Sequence, residues 1–567
     1  MKSRKLIAFF VVLSMLAAVI AACGTTDNTT APTTEAPEQT TAAPELTEGA
    51  NTNNGRPYNL TPVKWDNRDD KYLTGINATV LPLTEDEVVI DYWTSFDSTI
   101  MQGLDESEVF QEMERRTGVK INFVYPPAGQ EADNFNLRIN SNELPHIFRT
   151  PPAYAGGYQK GVIDGVYLEL TDYYDAGMMP NYQWQRENNE EIYRDTIDDE
   201  GRLYFFAMLD IVPSHPWSGL WVRADWLEEL GLEHPTTIDD WDVMLREMRD
   251  AYGIAPLALN LDLWFGVAVN YMFAGSYEAG WEFLNVDGEA RYGPIEDGYL
   301  SFLTKMNEWY EDGLIDPDFA TRDFASYEAN IANGNVGAAG IAYGSLGQLL
   351  RTGALEAPDY SLKPVLQPKS YDGQVIRLRQ NNSTVRADRE FITTRAVEDG
   401  IDEIVVRWKD YWYSQDGGDL CSYGPEDVSY IWDDQGEFEW IHPRLFDDEE
   451  LDFWTVYPLF KLHNWGYLRN SQAYENVDEV FECIELWATQ DASWLMPDNI
   501  SHTTEEAREL TNIMVDINTY RDEMTPKFIM GQEPLSNFDA FVTTIRGMNI
   551  DRAIEIKTDA LERYYQR

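Results

Sequence analysis

The spacing of apolar residues between positions 88 and 148 predicts strands and helices in alternation. Residues 88–93 and 119–125 are compact apolar runs typical of buried strands, and 146–148 is a shorter one. Between them, 105–117 and 131–142 carry apolar residues at helical spacing. This order implies right-handed crossovers and a parallel sheet, so we expect a ligand site beyond the carboxyl ends of these strands.

The same criteria predict further elements along the remaining chain. They are strands at 203–209, 220–224 and 336–343, helices at 225–230 and 297–312, a helix that begins at a Thr237–Asp240 capping box, a hairpin that turns at Asp287–Gly288, and two or three helices within 504–567. No polar linker divides residues 60–567. This absence predicts two lobes between which the chain crosses more than once.

The first 23 residues have the pattern of a secretory signal. Cations precede an apolar run at 6–22, which ends in small residues directly before Cys23. Residues 20–23 (Ile-Ala-Ala-Cys) resemble the lipobox of bacterial lipoproteins. The resemblance implies that residues 1–22 are a signal peptide, that cleavage occurs before Cys23, and that its sulfur carries diacylglycerol. The alternative is an ordinary signal peptide with an incidental cysteine.

The segment after Cys23 has the composition of a flexible spacer. Residues 24–57 are rich in Thr and Pro and contain no aromatic residue, so they cannot bury enough apolar surface to offset the entropy of ordering. We therefore expect 23–60 to be a disordered linker between the lipid and a folded body outside the cell.

Charge and cysteine content exclude several classes of protein. The formal net charge of −55 repels nucleic acid and anionic lipid headgroups. After Cys23 only Cys421 and Cys483 remain, which is too few for a disulfide framework and leaves their pairing open. Six His without close ligand spacing provide no zinc signature. We expect no cofactor and no metal.

Four segments of the body resemble one family, the type 1 extracellular solute-binding proteins of ABC importers, in particular the large lipoproteins of Gram-positive bacteria. They occur in the family's order and are 135–148 (FNLRINSNELPHIF), 221–232 (WVRADWLEELGL) followed by Pro235-Thr236-Thr237, 292–319 (YGPIEDGYLSFLTKMNEWYEDGLIDPDF) and 528–539 (FIMGQEPLSNFD). One departure is His146, where the family usually has Asp at a strand end that faces the cleft.

The resemblance implies an α/β, two-lobed, periplasmic-binding-protein-like fold of type II, with a mainly parallel sheet in each lobe and a helical C-terminal extension. We assign 75–212 plus 386–430 to the N-terminal lobe and 213–385 plus 431–567 to the C-terminal lobe. We place the crossings near 209–215, 382–391 and Tyr430.

The resemblance also implies a function. The chain would bind a sugar or oligosaccharide between its lobes and deliver it to ABC permease subunits. It would be a monomer on the outer face of the cytoplasmic membrane, held there by its N-terminal lipid. It has no P-loop and therefore does not hydrolyse ATP itself.

Sugars need aromatic planes for stacking and amide, carboxylate or Arg groups for hydrogen bonds. The residues of these types at predicted loops of the cleft are Trp93, Phe96, Asp97, Trp217, Arg223, Asn260, Trp264, Tyr343, Asn381, Asn382 and Trp465. For each aromatic residue the competing interpretation is a place in the core, and for Arg223 it is a salt bridge between elements.

Two other classes of function stay open. A secreted glycoside hydrolase needs a pair of carboxylates, but 98 acidic residues make such proximity uninformative. The chain has no G-x-S-x-G or H-E-x-x-H motif, and we assign no catalytic residue. A surface sensor or adhesin on the same fold is the other alternative.

Overall fold

The computed structural model describes residues 75–96, 98, 100–210, 216–259, 273–380, 383–432, 438–445, 456–462, 466–468 and 478–567. The predicted signal peptide 1–22, the predicted lipidation site Cys23 and the predicted spacer 23–60 lie outside the described residues. Within the described ranges, no helix combines the length and the apolar character needed to cross a membrane.

The strands are β1 (Val88–Trp93), β2 (Val119–Val124), β3 (Ile147–Arg149), β4 (Phe206–Asp210), β5 (Ser218–Arg223), β6 (Phe283–Val286), β7 (Glu289–Tyr292), β8 (Ala338–Ala342), β9 (Leu362–Val365), β10 (Val385–Ile392), β11 (Tyr430–Trp432), β12 (Phe438–Trp440) and β13 (Tyr467–Leu468).

The α-helices are α1 (Glu108–Thr117), α2 (Glu131–Ser141), α3 (Gly157–Ile163), α4 (Thr171–Asp175), α5 (Pro180–Asn188), α6 (Glu190–Asp195), α7 (Ala224–Leu230), α8 (Ile238–Tyr252), α9 (Asp297–Glu311), α10 (Phe324–Ala332), α11 (Tyr343–Glu356), α12 (Arg395–Glu398), α13 (Asp402–Tyr411), α14 (Gln415–Tyr423), α15 (Asp478–Ala488), α16 (Thr504–Ile529), α17 (Phe538–Gly547) and α18 (Ile550–Tyr564).

The first sheet confirms the parallel arrangement predicted for the start of the body. Its strand order is β13-β4-β10-β3-β1-β2. β1 pairs in parallel with β2, from Val88 opposite Val119 to Trp93 opposite Val124, and also pairs in parallel with β3. Only β10 runs against its neighbours. The helices α1 and α2 between consecutive strands provide the crossovers that parallel pairing requires.

The second sheet differs from the expected parallel arrangement. Its order is β8-β5-β9, and β5 is antiparallel to both neighbours. β8 and β9 share a direction because α11 connects them as a crossover. β5 follows β4 of the first sheet in the chain and lies between β8 and β9 in the opposite direction. The expectation of a mainly parallel sheet was therefore wrong for this lobe.

Short sequence motifs correctly predicted a helix start and a turn near this sheet. Thr237 and Asp240 form the predicted capping box at the start of α8. Asp287 and Gly288 both have positive φ angles, 55° and 91°, in the turn between β6 and β7. This conformation suits Gly, because it has no Cβ, and is tolerated by Asp.

Separate apolar cores lie against the two sheets. The first contains residues of β1, β3, β4 and β10 together with helices α13 and α14. A second contains the buried faces of α8 and α9 and parts of the C-terminal helices. A third cluster joins β8, α11 and α15. Cys421 lies in the first core and Cys483 in the third cluster, and both are free thiols.

The chain passes between the two sheets at two of the three predicted positions, and the crossing predicted near Tyr430 stays a prediction. One connection lies between β4 and β5, and another lies between β9 and β10. Residues 467–468 correct one detail of the lobe assignment. They pair in parallel with β4 and therefore join the first sheet, although 431–567 was assigned to the C-terminal lobe.

Candidate ligand cleft

The carboxyl ends of the parallel strands meet at one edge of the first sheet. β1, β3 and β4 end there at Trp93, Arg149 and Asp210, and the antiparallel β10 begins there at Val385. The connection to β5 leaves from this edge, and the connection from β9 arrives at it. This edge therefore borders the region between the two sheets, where the sequence placed the ligand.

The charged side chains of this edge are engaged with one another. A carboxylate oxygen of Asp210 lies 4.0 Å from Arg386 Nη1, and Asp388 Oδ1 lies 3.8 Å from Arg149 Nη2. Arg389 Nη2 donates a 2.5 Å hydrogen bond to the Asn499 side chain. The guanidinium groups at this edge are thus already held by acceptors of the chain.

Two of the predicted aromatic residues come together at the start of β5. The Tyr343 backbone N–H donates to the Trp217 carbonyl at 2.9 Å, and the Trp217 N–H donates to Gln380 Oε1 at 2.5 Å. Tyr343 belongs to the third apolar cluster, against which Trp217 and Ile100 pack. Because Ile100 comes from the loop after β1, this loop reaches the second lobe, which is the lobe built on the second sheet; the first lobe is built on the first sheet.

Phe96 lies in the same loop after β1. It is partly buried, and its ring centroid lies 5.4 Å from that of Tyr125, which follows β2. The two rings form an aromatic pair at the carboxyl edge of the first sheet. Contact of Phe96, Trp217 and Tyr343 with a ligand stays a prediction.

Trp93 occupies the first core instead of the cleft. Its side chain is 1% exposed, its ring packs near Phe135 and Phe148, and its Nε1 donates to Asn134 Oδ1 at 2.9 Å. β1 continues through Trp93, which pairs with Val124, and strand alternation turns the ring inward. We therefore withdraw Trp93 as a residue that stacks on a ligand.

Arg223 lies at the other end of β5 from Trp217. Its guanidinium makes two hydrogen bonds to Asp225, at 2.8 and 2.5 Å, and lies over the rings of Trp226 and Tyr360. The salt-bridge alternative for Arg223 is therefore correct. This arrangement leaves it no role as a clamp on a ligand near Trp217.

His146 also departs from its expected position. It precedes β3 and so lies at the opposite end of this strand from the edge that borders the second lobe. Its Nδ1 accepts a 2.8 Å hydrogen bond from the Asp91 N–H, and its Nε2 lies 3.1 Å from Asp399 Oδ2. His146 links β1 to the segment after α12 and does not face the cleft.

The other predicted site residues lie outside the described residues and stay predictions. They are Asp97, Asn260, Trp264, Asn381, Asn382 and Trp465.

A cavity of about 370 Å³ lies beside the connection between β9 and β10. It falls within the range of ~300–1,000 Å³ that is typical of small-molecule sites. Its walls come from both lobes and from the C-terminal region. The lining residues are Glu191, Arg194, Asp195, Glu282, Phe283, Leu284, Leu378, Ser383, Ala492, Leu495, Met496, Pro497, Asp498, Tyr564 and Tyr565.

A hydrogen-bond network fixes one wall of this cavity. Tyr564 Oη donates to Asp195 Oδ1 at 2.6 Å, and Asn499 Nδ2 donates to Asp195 Oδ2 at 3.2 Å. Burial raises the pKa of Asp195. The pKa of Asp498 is also raised, chiefly because protein encloses its carboxyl and secondly because Asp195 is near.

This lining suits a ligand that has both hydroxyl groups and apolar faces. Carboxylates accept hydrogen bonds from hydroxyls, and the rings of Phe283 and Tyr565 offer surfaces for C–H groups. In the part of the chain that the structure describes, no group of three or more His, Cys, Asp or Glu is arranged to hold a metal ion.

Sequence reasoning missed the cavity because separate stretches of chain line it, from α6 to the end of α18. No single motif marks such a site. The adjacent Tyr564 and Tyr565 at the end of an amphipathic helix were the one local signal.

Curated proteins are related to this chain in sequence, and two of them show the extent of the similarity. Lipoprotein LipO of Bacillus subtilis is 26% identical over 275 residues, which cover 46% of this chain and 51% of LipO. The fructooligosaccharide ABC transporter substrate-binding protein FusA of Streptococcus pneumoniae is 24% identical over 364 residues, which cover 60% of this chain and 63% of FusA. The chain thus spans between about half and two thirds of the length of these relatives.

Solved structures share the fold. The alginate-binding protein AlgQ2 superposes with a TM-score of 0.68 at 19% identity, over 85% of this chain and 99% of that protein. This similarity confirms the two-lobed, periplasmic-binding-protein-like fold. The family model of the bacterial extracellular solute-binding proteins matches residues 92–378, and the chain therefore belongs to this family.

Proposed function

We propose that this chain is a lipid-anchored receptor that binds a sugar or oligosaccharide between its lobes and delivers it to an ABC permease. The observation that carries the proposal is the cavity beside the connection between β9 and β10, which α6 of the first lobe and β6 of the second both line. A ligand held by both lobes stabilises one arrangement of them over others.

A carbohydrate is the ligand class that the lining favours. The carboxylates of Asp195 and Asp498 lie close to aromatic surfaces, and this combination matches the hydroxyl rim and C–H faces of a sugar. The printed names of FusA and AlgQ2, which refer to a fructooligosaccharide and to alginate, support the same class.

The chemistry of the site would be binding alone, with the sugar released unchanged to the permease. We propose that one chain acts as a monomer on the outer face of the cytoplasmic membrane. The alternative is a glycoside hydrolase, in which case incubation would shorten the sugar.

Thermal unfolding of the full chain with a panel of oligosaccharides tests this proposal. A bound sugar should stabilise the chain by RT ln(1 + [L]/Kd) and be recovered at its original length. Tyr565→Ala removes a ring of the cavity and should weaken binding by about 1–3 kcal/mol, by analogy with stacking on aromatic residues in other proteins. Tyr371→Ala is a matched control, because both Tyr side chains are 53% exposed and Tyr371 lies away from the cavity.

Stabilisation by none of the sugars, or release of shorter sugars, would overturn the receptor proposal. Equal binding by wild type and Tyr565→Ala would overturn the placement of the sugar in this cavity.

The lipid anchor has its own test, which is incorporation of labelled fatty acid by cells that express the chain. The wild type should be labelled and remain with the membrane fraction, whereas Cys23→Ser should be unlabelled and appear in the medium, since lipid chains provide the membrane affinity. Label in the Cys23→Ser variant would exclude Cys23 as the acylated residue.

A further inference from the structure

The cavity is strongly unbalanced in charge. Among the residues that the structure describes, its lining includes the acidic side chains of Glu191, Asp195, Glu282 and Asp498 and one basic side chain, that of Arg194. An excess of one sign within a walled site focuses the electrostatic field toward whatever enters it.

The basic lining residue Arg194 already has partners within the protein. The Arg194 guanidinium lies over the Tyr564 ring, 4.5 Å from its centroid, and its Nε lies 3.7 Å from Asp195 Oδ1. The positive charge of Arg194 thus already interacts with the Asp195 carboxylate and the Tyr564 ring of the cavity wall. It is poorly placed to compensate a negative ligand as well.

Two arginines outside the lining influence the ionisation of the Asp498 carboxyl. Arg386 and Arg389 both favour the ionised form of its carboxyl, although burial and Asp195 oppose them more strongly. Arg386 also lies near Asp210, and Arg389 is bonded to Asn499. An anionic ligand would therefore compete with the Asp498 carboxylate for the charges of Arg386 and Arg389.

Asp498 has the position expected of a group that meets the ligand. It lines the cavity, and its carboxylate accepts no hydrogen bond from the residues that the structure describes. Hydroxyl groups of a sugar can donate to a carboxylate, whereas the carboxylate of a uronic acid cannot.

We infer that the cavity selects uncharged saccharides and rejects chains of uronic acids. This inference rests on the proposed function and specifies the class of sugar that the receptor binds. The repulsion arises from carboxylates of the site, so it should weaken when one of them is neutralised or when salt is raised.

The test compares neutral and acidic chains of equal length, such as galactotriose and trigalacturonate, by calorimetric titration of the full chain at low ionic strength. We expect the wild type to bind the neutral sugar at least about tenfold more tightly, because like charges brought together disfavour binding. Asp498→Asn should reduce this ratio severalfold, whereas Asp372→Asn, an exposed control away from the cavity, should leave it unchanged.

Equal or tighter binding of the uronate by the wild type would overturn the inference while leaving a sugar receptor in place. An unchanged preference in Asp498→Asn would also overturn it, because selection would then arise elsewhere. Binding of neither trisaccharide, nor of any sugar in a wider panel, would overturn the proposed function and the inference together.

Discussion

The two ends of α18 contact the two lobes by different means. Near its start, Ile550 and Ala553 are fully buried in the second core. Near its end, Arg563 and the following Arg567 both bond to Asp199, which lies between α6 and β4 in the first lobe. One contact is apolar and the other is built from charges.

The polar atoms of the charged contact have hydrogen-bond partners within the protein. The Arg567 side chain is buried and donates to Asp199 Oδ1 at 2.7 Å and to the carbonyls of Ile197 and Asn499 at 2.9 and 3.1 Å. Water can replace such partners when the surfaces separate, whereas exposed apolar surface has no substitute partner. The comparison suggests that α18 belongs to the second lobe and that its contact with the first lobe is the separable one.

The largest effect should come from the apolar contact. Ile550→Ala removes a buried side chain from the second core and should lower the free energy of unfolding by about 2–5 kcal/mol, measured by chemical denaturation. Val515→Ala, at a position 59% exposed on α16, is the control and should stay within about 0.5 kcal/mol of wild type. A small loss in Ile550→Ala would show that α18 does not depend on this core.

The charged contact should contribute less. Asp199→Asn removes the carboxylate shared by Arg563 and Arg567 and should cost about 1–3 kcal/mol. Asp551→Asn is the control, because its pair with Arg546 is exposed on both sides and should contribute about 0–1 kcal/mol. A cost equal to that of Ile550→Ala would remove the distinction between the two contacts.

A pH effect at the same contact should be the smallest. Burial lowers the pKa of His502 to about 4, with Lys557 and Arg563 adding to the effect and Glu506 and Asp199 opposing it. Because the folded-state pKa is below the ordinary value of about 6.5, the stabilising contribution is present above pH ~6.5 and is lost as pH falls toward ~4.

Between pH 7 and 6 the free energy of unfolding should therefore fall by less than about 1 kcal/mol because of His502. His502→Gln should remove this part of the slope while keeping a polar side chain. The same slope in wild type and variant would mean that His502 does not titrate differently in the folded and unfolded states.

Local periodicity predicted most of the fold. β1, the turn at Asp287–Gly288 and the start of α8 lie where the sequence placed them, because each depends on residues close together in the chain. The direction of β5 and the addition of 467–468 to the first sheet depend on pairing between distant strands. The periodicity of one strand does not identify which distant strand pairs with it.

The site was less predictable than the fold for the same reason. Trp217 and Tyr343 meet at one end of β5, and their contact with a ligand stays a prediction, but Trp93 lies in the core because β1 extends through it. Residue type indicated that sugar chemistry was possible. It did not indicate that Asp195 and Tyr564, far apart in sequence, would bond to each other in one cavity wall.

The central claim is that this member of the family binds a sugar and leaves it intact. Calorimetric titration of the full chain with neutral oligosaccharides, followed by measurement of the recovered sugar's length, tests it most directly. The account predicts saturable binding of one sugar per chain and recovery of the sugar unchanged. Absence of binding across the panel, or recovery of shortened sugar, would contradict it.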